Sequence, residues 1–204
     1  FFKQKTAYEI VDCDWSSDVC SSDLEAVMVQ ERARALANLV EDLLEVLRLD
    51  AGAEVAAEEP FDLVRLVGDV ARDRLPEAAL ELPPTLQVQT DPRRVERVLV
   101  NLLENARKYG AAPYSVRIDS DALTITVRDS GPGFGAFLQR AGDRFAMAST
   151  SRGRGGTGLG LAIAEGQSRV IGGDLELLDD EGAVAIVHLP SAVRVHIGAA
   201  VVTG

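Results

Sequence analysis

Apolar residues fall into two spacings along this chain, and the change between them divides it. Val29, Ala33, Leu36, Val40, Leu43 and Leu47 recur at alternating steps of four and three. That is the a/d seam of a heptad, so residues 25–49 are predicted to form one long amphipathic helix, with Glu41, Asp42, Glu45 and Arg48 off the seam. Gly52 stands where such a helix would stop. One helix cannot bury this seam alone. It packs on a partner helix, on a second copy of the chain or on its own globular domain. Residues 53–60, acidic and ending at Pro60, read as a linker.

From Phe61 the pattern becomes mixed α+β. Asp62 can cap a helix carrying Leu63, Leu66, Val67 and Val70 on one face. Extended pieces are predicted near Ala79–Leu82 and Leu86–Gln89. Asp91 and Pro92 then open a helix that runs to Gly110. Val116 and Ile118, then Leu123, Ile125 and Val127, alternate with polar neighbours as in two strands joined at Ser120–Asp121. Residues 134–157 read as a long Gly- and Arg-rich loop. A helix over Gly158–Ile171 follows, closed by Gly172 and Gly173. The last element is a hairpin, Leu175–Leu178 with Ala183–Leu189, turning at Asp180–Gly182. The tail 191–204 has no assigned role.

Composition narrows the function. The chain has 204 residues, enough for a core without staples. Lys+Arg number 21 against 32 Asp+Glu, a formal charge of −11 with no basic stripe, which argues against nucleic acid as a partner. No apolar run is long enough to span a bilayer and no signal-peptide pattern opens the chain. Cys13 and Cys20 are the only cysteines, too few for a disulfide scaffold or a thiolate metal site. Both lie in residues 1–24, as do Trp15, the one tryptophan, and two of the three lysines, Lys3 and Lys5. This stretch lacks sustained apolar periodicity and resembles translated sequencing-adapter sequence, so it is expected to be non-native. The remainder is still acidic and contains a single lysine, Lys108.

Three elements carry candidate chemistry. On the 91–110 helix, Asn101, Asn105 and Lys108 stand at i, i+4 and i+7 beside the apolar stripe Val95, Val98, Leu99, Leu102 and Ala106, with Glu104 next to them. Amide oxygens suit Mg²⁺ and a lysine suits phosphate, though the same stripe also describes a solvated polar face. Alternation puts Asp129 on the apolar face of its strand, just before Gly131-Pro132-Gly133. There it is either a buried acceptor for a ligand amine or part of an ordinary Asp-Ser-Gly turn. Gly155-Gly156-Thr157-Gly158-Leu159-Gly160 opens an apolar helix, where free N–H groups favour phosphate. Gly153, Gly155 and Gly158 have the GxGxxG spacing, but a polar loop precedes them where a dinucleotide fold needs a strand. No Lys-Ser or Lys-Thr follows a glycine run, which excludes a P-loop.

Taken in order, NLLENARKYG, DSGPGF, DRF and GRGGTGLGLAI resemble the N, G1, F and G2 boxes of sensor histidine kinases. These enzymes belong to the Bergerat-type ATPases shared with gyrase-like proteins. The match covers residues 61–190, and RALANLVEDLLEVLRLDAG within 25–52 resembles the second helix of the family's dimerisation and phosphotransfer hairpin. The resemblance implies a two-layer α/β sandwich, a mixed sheet with helices on one face, preceded by the long amphipathic helix. It implies that Asn105 binds Mg²⁺ with Asn101 on the same face and Glu104 beside them. Lys108 would reach phosphate, Tyr109 would stack near adenine, and Asp129 would accept the adenine amine in a pocket shaped by Gly131 and Gly133. Phe145 is the F-box position. Arg152 and Arg154 fall in the nucleotide lid, and Gly156, Thr157, Gly158, Leu159 and Gly160 line the phosphates.

The family's phosphoacceptor histidine has no counterpart here. His188 and His196 are the only histidines, one in the last strand and one in the tail, and both read as ordinary structural or surface residues. The acceptor helix is expected just before Glu25, where the adapter-like stretch stands. The expectation is therefore MgATP binding without self-phosphorylation of this chain. The resemblance further implies homodimerisation through the hairpin helix, a response regulator as partner, and a cytoplasmic domain whose parent is anchored in the bacterial inner membrane. The alternatives are an anti-sigma-type serine kinase, which the long helix argues against, and a non-catalytic ATP-sensing dimerisation module.

Overall fold

A computed structural model describes residues 15–52, 54–135 and 158–191, with side chains from Val27 onward. Its first element, α1, spans Trp15–Asp50. The helix begins ten residues before the predicted start. Residues 15–24 contain neither Gly nor Pro, so nothing in them breaks a helix even without apolar periodicity. Two compact units divide within α1, one ending at Glu41 and one starting at Asp42. In the first unit, the seam residues Val29, Leu36 and Val40 are exposed. In the second, Leu43 and Leu47 are also about half exposed. Among the described residues no helix is long and apolar enough to cross a membrane.

The second unit holds the α+β fold. It contains β1 (Glu59–Asp62), α2 (Leu63–Arg74), β2 (Ala79–Glu81), β3 (Gln87–Thr90) and α3 (Pro92–Tyr109). After these come β4 (Ser115–Asp119), β5 (Thr124–Arg128), α4 (Gly160–Val170), β6 (Asp174–Asp179) and β7 (Ala183–His188). Five strands form a sheet in the order β2-β4-β5-β7-β6, with β2 parallel to β4 and the other pairs antiparallel. The sheet is therefore mixed, as the sequence implied.

Register builds the core in rows. Ile118 pairs with Ile125, Ile125 with Val187 and Val187 with Leu175; Leu80, Val116, Val127, Ala185 and Leu177 make a second row. These rows pack with Leu63 and Val67 of α2, Val95, Leu99, Leu102 and Leu103 of α3, and Ala164 of α4 in one cluster. The alternate positions, Arg117, Thr126, Ile186 and Glu176, are more exposed. Helices thus cover one face of the sheet, giving the expected two-layer sandwich.

Two boundaries differ from the sequence reading. Residues 59 and 60, expected to close the linker, instead open β1, which runs to Asp62 antiparallel to β3 in a separate two-stranded sheet. Only pairing with residues 25 to 31 positions further on makes this segment a strand, and Pro60 is tolerated at such an edge. Helix α4 starts at Gly160 rather than Gly158, because Gly158 has φ +71°, outside the right-handed helix.

Both predicted caps form. Asp62 accepts the N–H groups of Val64 and Arg65 at the start of α2, and Asp91 accepts those of Arg93 and Arg94 at the start of α3, with Pro92 in the first turn.

Candidate functional site

Asp129, 3% exposed, sits at the end of β5 where the apolar row stops. Its Oδ1 accepts the N–H of Gly131 at 2.8 Å. The carboxyl fits because two neighbours lack side chains. A Cβ on Gly110 would overlap the Asp129 carboxyl, and one on Gly131 would come within 2.8 Å of Oδ1 and 2.6 Å of the Gly110 Cα. Backbone bonds fix the strand end, with Asp129 N–H donating to Ala183 O at 3.0 Å and Ser130 N–H to Ala111 O at 2.8 Å. Gly110 is the C-cap of α3, so this carboxylate lies against the end of the helix that carries the Asn-Asn-Lys stripe.

One to three turns back along α3 stand the other candidates. Asn101 donates through Nδ2 to Arg97 O at 2.8 Å, and its Oδ1 lies 3.1 Å from where a Cβ on Gly160 would be. The amide therefore faces the first residue of α4. Asn105 is half-buried, and its amide has no hydrogen-bond partner among the described residues. Lys108 is exposed and paired with Glu104 at 3.0 Å, and Glu104 also lies 3.6 Å from Arg74. Tyr109 is half-buried. Gly133 has φ +73° and Gly158 φ +71°. Leu159 is the N-cap of α4, which has no side-chain cap, and its carbonyl accepts from Ile163 N–H at 2.9 Å. Phe145, Arg152, Arg154, Gly156 and Thr157 lie outside the described residues. Asn101, Gly160, Gly110, Asp129 and Gly131 are thus brought together along α3, from its middle to its end.

The sequence reading missed a polar cluster on the opposite end of α3. Arg94 reaches Glu54 and Gln167, each at 2.6 Å, and the carbonyl of Val55 at 3.2 Å. Its Nε lies 3.2 Å from Asp91 Oδ2, an ion pair without hydrogen-bond alignment. Gln167 in turn donates to Glu45 at 2.7 Å. Ala57 N–H donates to Asp91 Oδ2 at 2.9 Å, so the stretch expected to be a linker is tied to α3. Burial alone pushes the Asp91 carboxyl up. The N–H groups of Ala57, Arg94 and Arg93 and the Arg94 charge outweigh it and hold the carboxyl below its ordinary value of 3.8. The hydrogen bonds Arg97 donates to Glu45 raise its guanidinium above its ordinary value, against the cost of burial. Arg94, Arg97 and Gln167 carried no motif; only their spacing near an amphipathic helix end could have drawn attention.

A sequence profile of histidine kinase-, DNA gyrase B- and HSP90-like ATPases matches residues 90–193. The chain belongs to this ATPase family, and the matched region contains every candidate site residue described above. It is similar to the sensor protein CseC of Streptomyces coelicolor, 40% identical over 165 residues covering 80% of this chain and 32% of that protein. The signal transduction histidine-protein kinase AfsQ2 of the same species is 37% identical over 172 residues, again covering 80% of this chain and 32% of the relative. The chain thus spans about a third of the length of these relatives. Among solved structures, full-length ShkA in complex with AMPPNP superposes with TM-score 0.66 at 26% identity, over 85% of this chain and 39% of that one. The Acinetobacter baumannii histidine kinase AdeS gives 0.63 at 25% identity, over 79% and 81%.

Proposed function

We propose that this chain is the ATP-binding catalytic part of a sensor histidine kinase. In this reading adenine nucleotide lies along α3, from Asp129 and Gly110 at the base to Asn101 and Gly160 at the phosphates. The observation that carries it is the buried Asp129 carboxyl enclosed by Gly110 and Gly131, which in this reading accepts the exocyclic amine of adenine. From Asn101 to Gly110 the helical rise is about 14 Å, on the scale of an extended nucleotide. Phosphates at the start of α4 would meet the first-turn N–H groups of a helix that no side chain caps. Lys108, released from Glu104, would reach phosphate, and Tyr109 would lie against the base.

Mg²⁺ fits this site as a metal carried by the nucleotide. Among the described residues no cluster of three His, Cys, Asp or Glu side chains could hold a metal, whereas the half-buried, unpaired Asn105 amide offers one hard oxygen. The ion would neutralise phosphate charge; the protein's part is to bind and orient, which is most of what phosphoryl transfer requires. The acceptor in the parent protein would be a histidine on the hairpin helix preceding α1, with onward relay to a response-regulator aspartate. Similarity to sensor kinases supports that relay, and the exposed seam of α1 supports a dimeric parent; a cytoplasmic catalytic part on a membrane-anchored parent belongs to the same proposal.

Calorimetric titration tests the site. ATP should bind with GTP much weaker, and Asp129→Asn should reduce ATP affinity about tenfold or more while leaving GTP little changed. Equal affinities for both nucleotides in the parent chain would remove Asp129 from adenine recognition.

A further inference from the structure

The turn between β6 and β7 lies outside every motif, yet it holds the adenine loop from behind. Asp179, the last residue of β6, accepts two consecutive backbone N–H groups, Phe134 at 2.6 Å and Gly135 at 2.9 Å, one on each carboxylate oxygen. A Cβ on Gly133 would stand 2.6 Å from Asp179 Oδ1, so the carboxylate reaches this loop only because residue 133 is glycine. The same turn is fastened at two further points. Arg128, adjacent to Asp129, bonds the Asp180 carboxylate at 2.9 Å and its carbonyl at 2.6 Å. Gly182, with φ +145°, brings its backbone against the Asp129 carbonyl so closely that no side chain would fit. Phe134 packs on the hydrophobic core from the other side.

We infer that Asp179 is a positioning residue for adenine recognition: by gripping the Phe134 and Gly135 amides it fixes the far end of the Asp129–Gly135 loop and thereby the base pocket. The inference rests on the reading of Asp129 as the adenine acceptor. A charged acceptor makes stronger hydrogen bonds than a neutral one, and here two converge on one carboxylate. Removing the carboxylate takes this charged acceptor from both amides and loosens the loop between Asp129 and Gly135. Base selectivity depends on where Asp129 and the glycines stand relative to each other, so it should suffer more than phosphate binding does.

The test compares ADP and GDP affinities of the parent chain, Asp179→Ala and Asp179→Asn by calorimetry, with amide exchange read at Phe134 and Gly135. The expected result is that Asp179→Ala loses protection at both amides, binds ADP about tenfold more weakly and narrows the ADP-over-GDP preference. Asp179→Asn, which keeps a neutral acceptor, should fall between. It carries the same comparison if the alanine variant does not fold. Unchanged ADP affinity, or equal loss of ADP and GDP with the preference intact, overturns the positioning role while leaving the nucleotide site standing. A parent chain that does not prefer ADP overturns the Asp129 reading and this inference with it.

Discussion

Arg97 of α3 and Glu45 of α1 form a two-sided ion pair, with Nε 3.1 and 3.2 Å from the two carboxylate oxygens and Nη2 2.6 Å from Oε2. The same Nη2 reaches Asp42 at 3.0 Å. Within the second unit this pair joins the last turns of α1 to the helix that carries the candidate-site amides Asn101 and Asn105. Asn101 donates its amide to the carbonyl of Arg97 itself.

Arg97→Met keeps the long stem but leaves two carboxylates without their shared cation. The expected cost is about 1–3 kcal/mol, read by urea denaturation and shrinking as salt screens the pair. The exposed Arg93, substituted the same way, should change stability by no more than about 0.5 kcal/mol.

Gly166 is the apolar counterpart of that ion pair. A Cβ there would lie 2.8 Å from Leu49 Cδ1 and 3.2 Å from its Cβ. Gly166→Ala should destabilise by about 1–3 kcal/mol through overpacking. In the Leu49→Ala background the same change should cost less, giving a coupling of at least about 0.5 kcal/mol in a double-mutant cycle.

Asp91 predicts a pH dependence with a definite sign. Its folded carboxyl titrates below the ordinary value, so its contribution is whole above about pH 4 and is lost as the pH falls through the folded value. Asp91→Asn should therefore lower Tm at neutral pH, by an amount corresponding to about 1 kcal/mol. The gap between parent and variant should close as melts are taken from pH 5 toward pH 2.5.

Gly110→Ala should damage stability and the site together, because the new methyl would overlap the Asp129 carboxyl. The expectation is a loss of about 2–4 kcal/mol and of measurable ATP binding by calorimetry. Gly68→Ala, inside α2, is the control. Its Cβ would meet chiefly the flexible end of Arg72 at 3.2 Å, so the helix-propensity gain of up to about 1 kcal/mol can be realised.

Local features of the site were legible in the chain because local rules govern them. Asp62 and Asp91 cap helices with their own next residues, and Pro92 suits a first turn whatever surrounds it. Asp129 fell on the apolar face by simple alternation. What alternation could not reveal is why a buried carboxylate is tolerated there, which depends on Gly110, 19 positions earlier, ending its helix against it. Gly110 reads in the sequence only as a helix stop. Asp179 was invisible for the same reason, since its partners lie 44 and 45 positions away and nothing about an acidic residue beside a turn distinguishes it.

The amino-acid sequence by itself determined most of the elements, two helix caps, the ordered motifs and the family, because periodicity and short spacings act between near neighbours. Tertiary structure alone decided that residues 59–62 are a strand, that 54–57 are held to α3 by Asp91 and Arg94, and that the β6–β7 turn grips the Asp129–Gly135 loop. Each of these is a polar contact or strand pairing between distant segments. Such contacts need two surfaces already brought together by the core, and no spacing along one chain encodes that meeting.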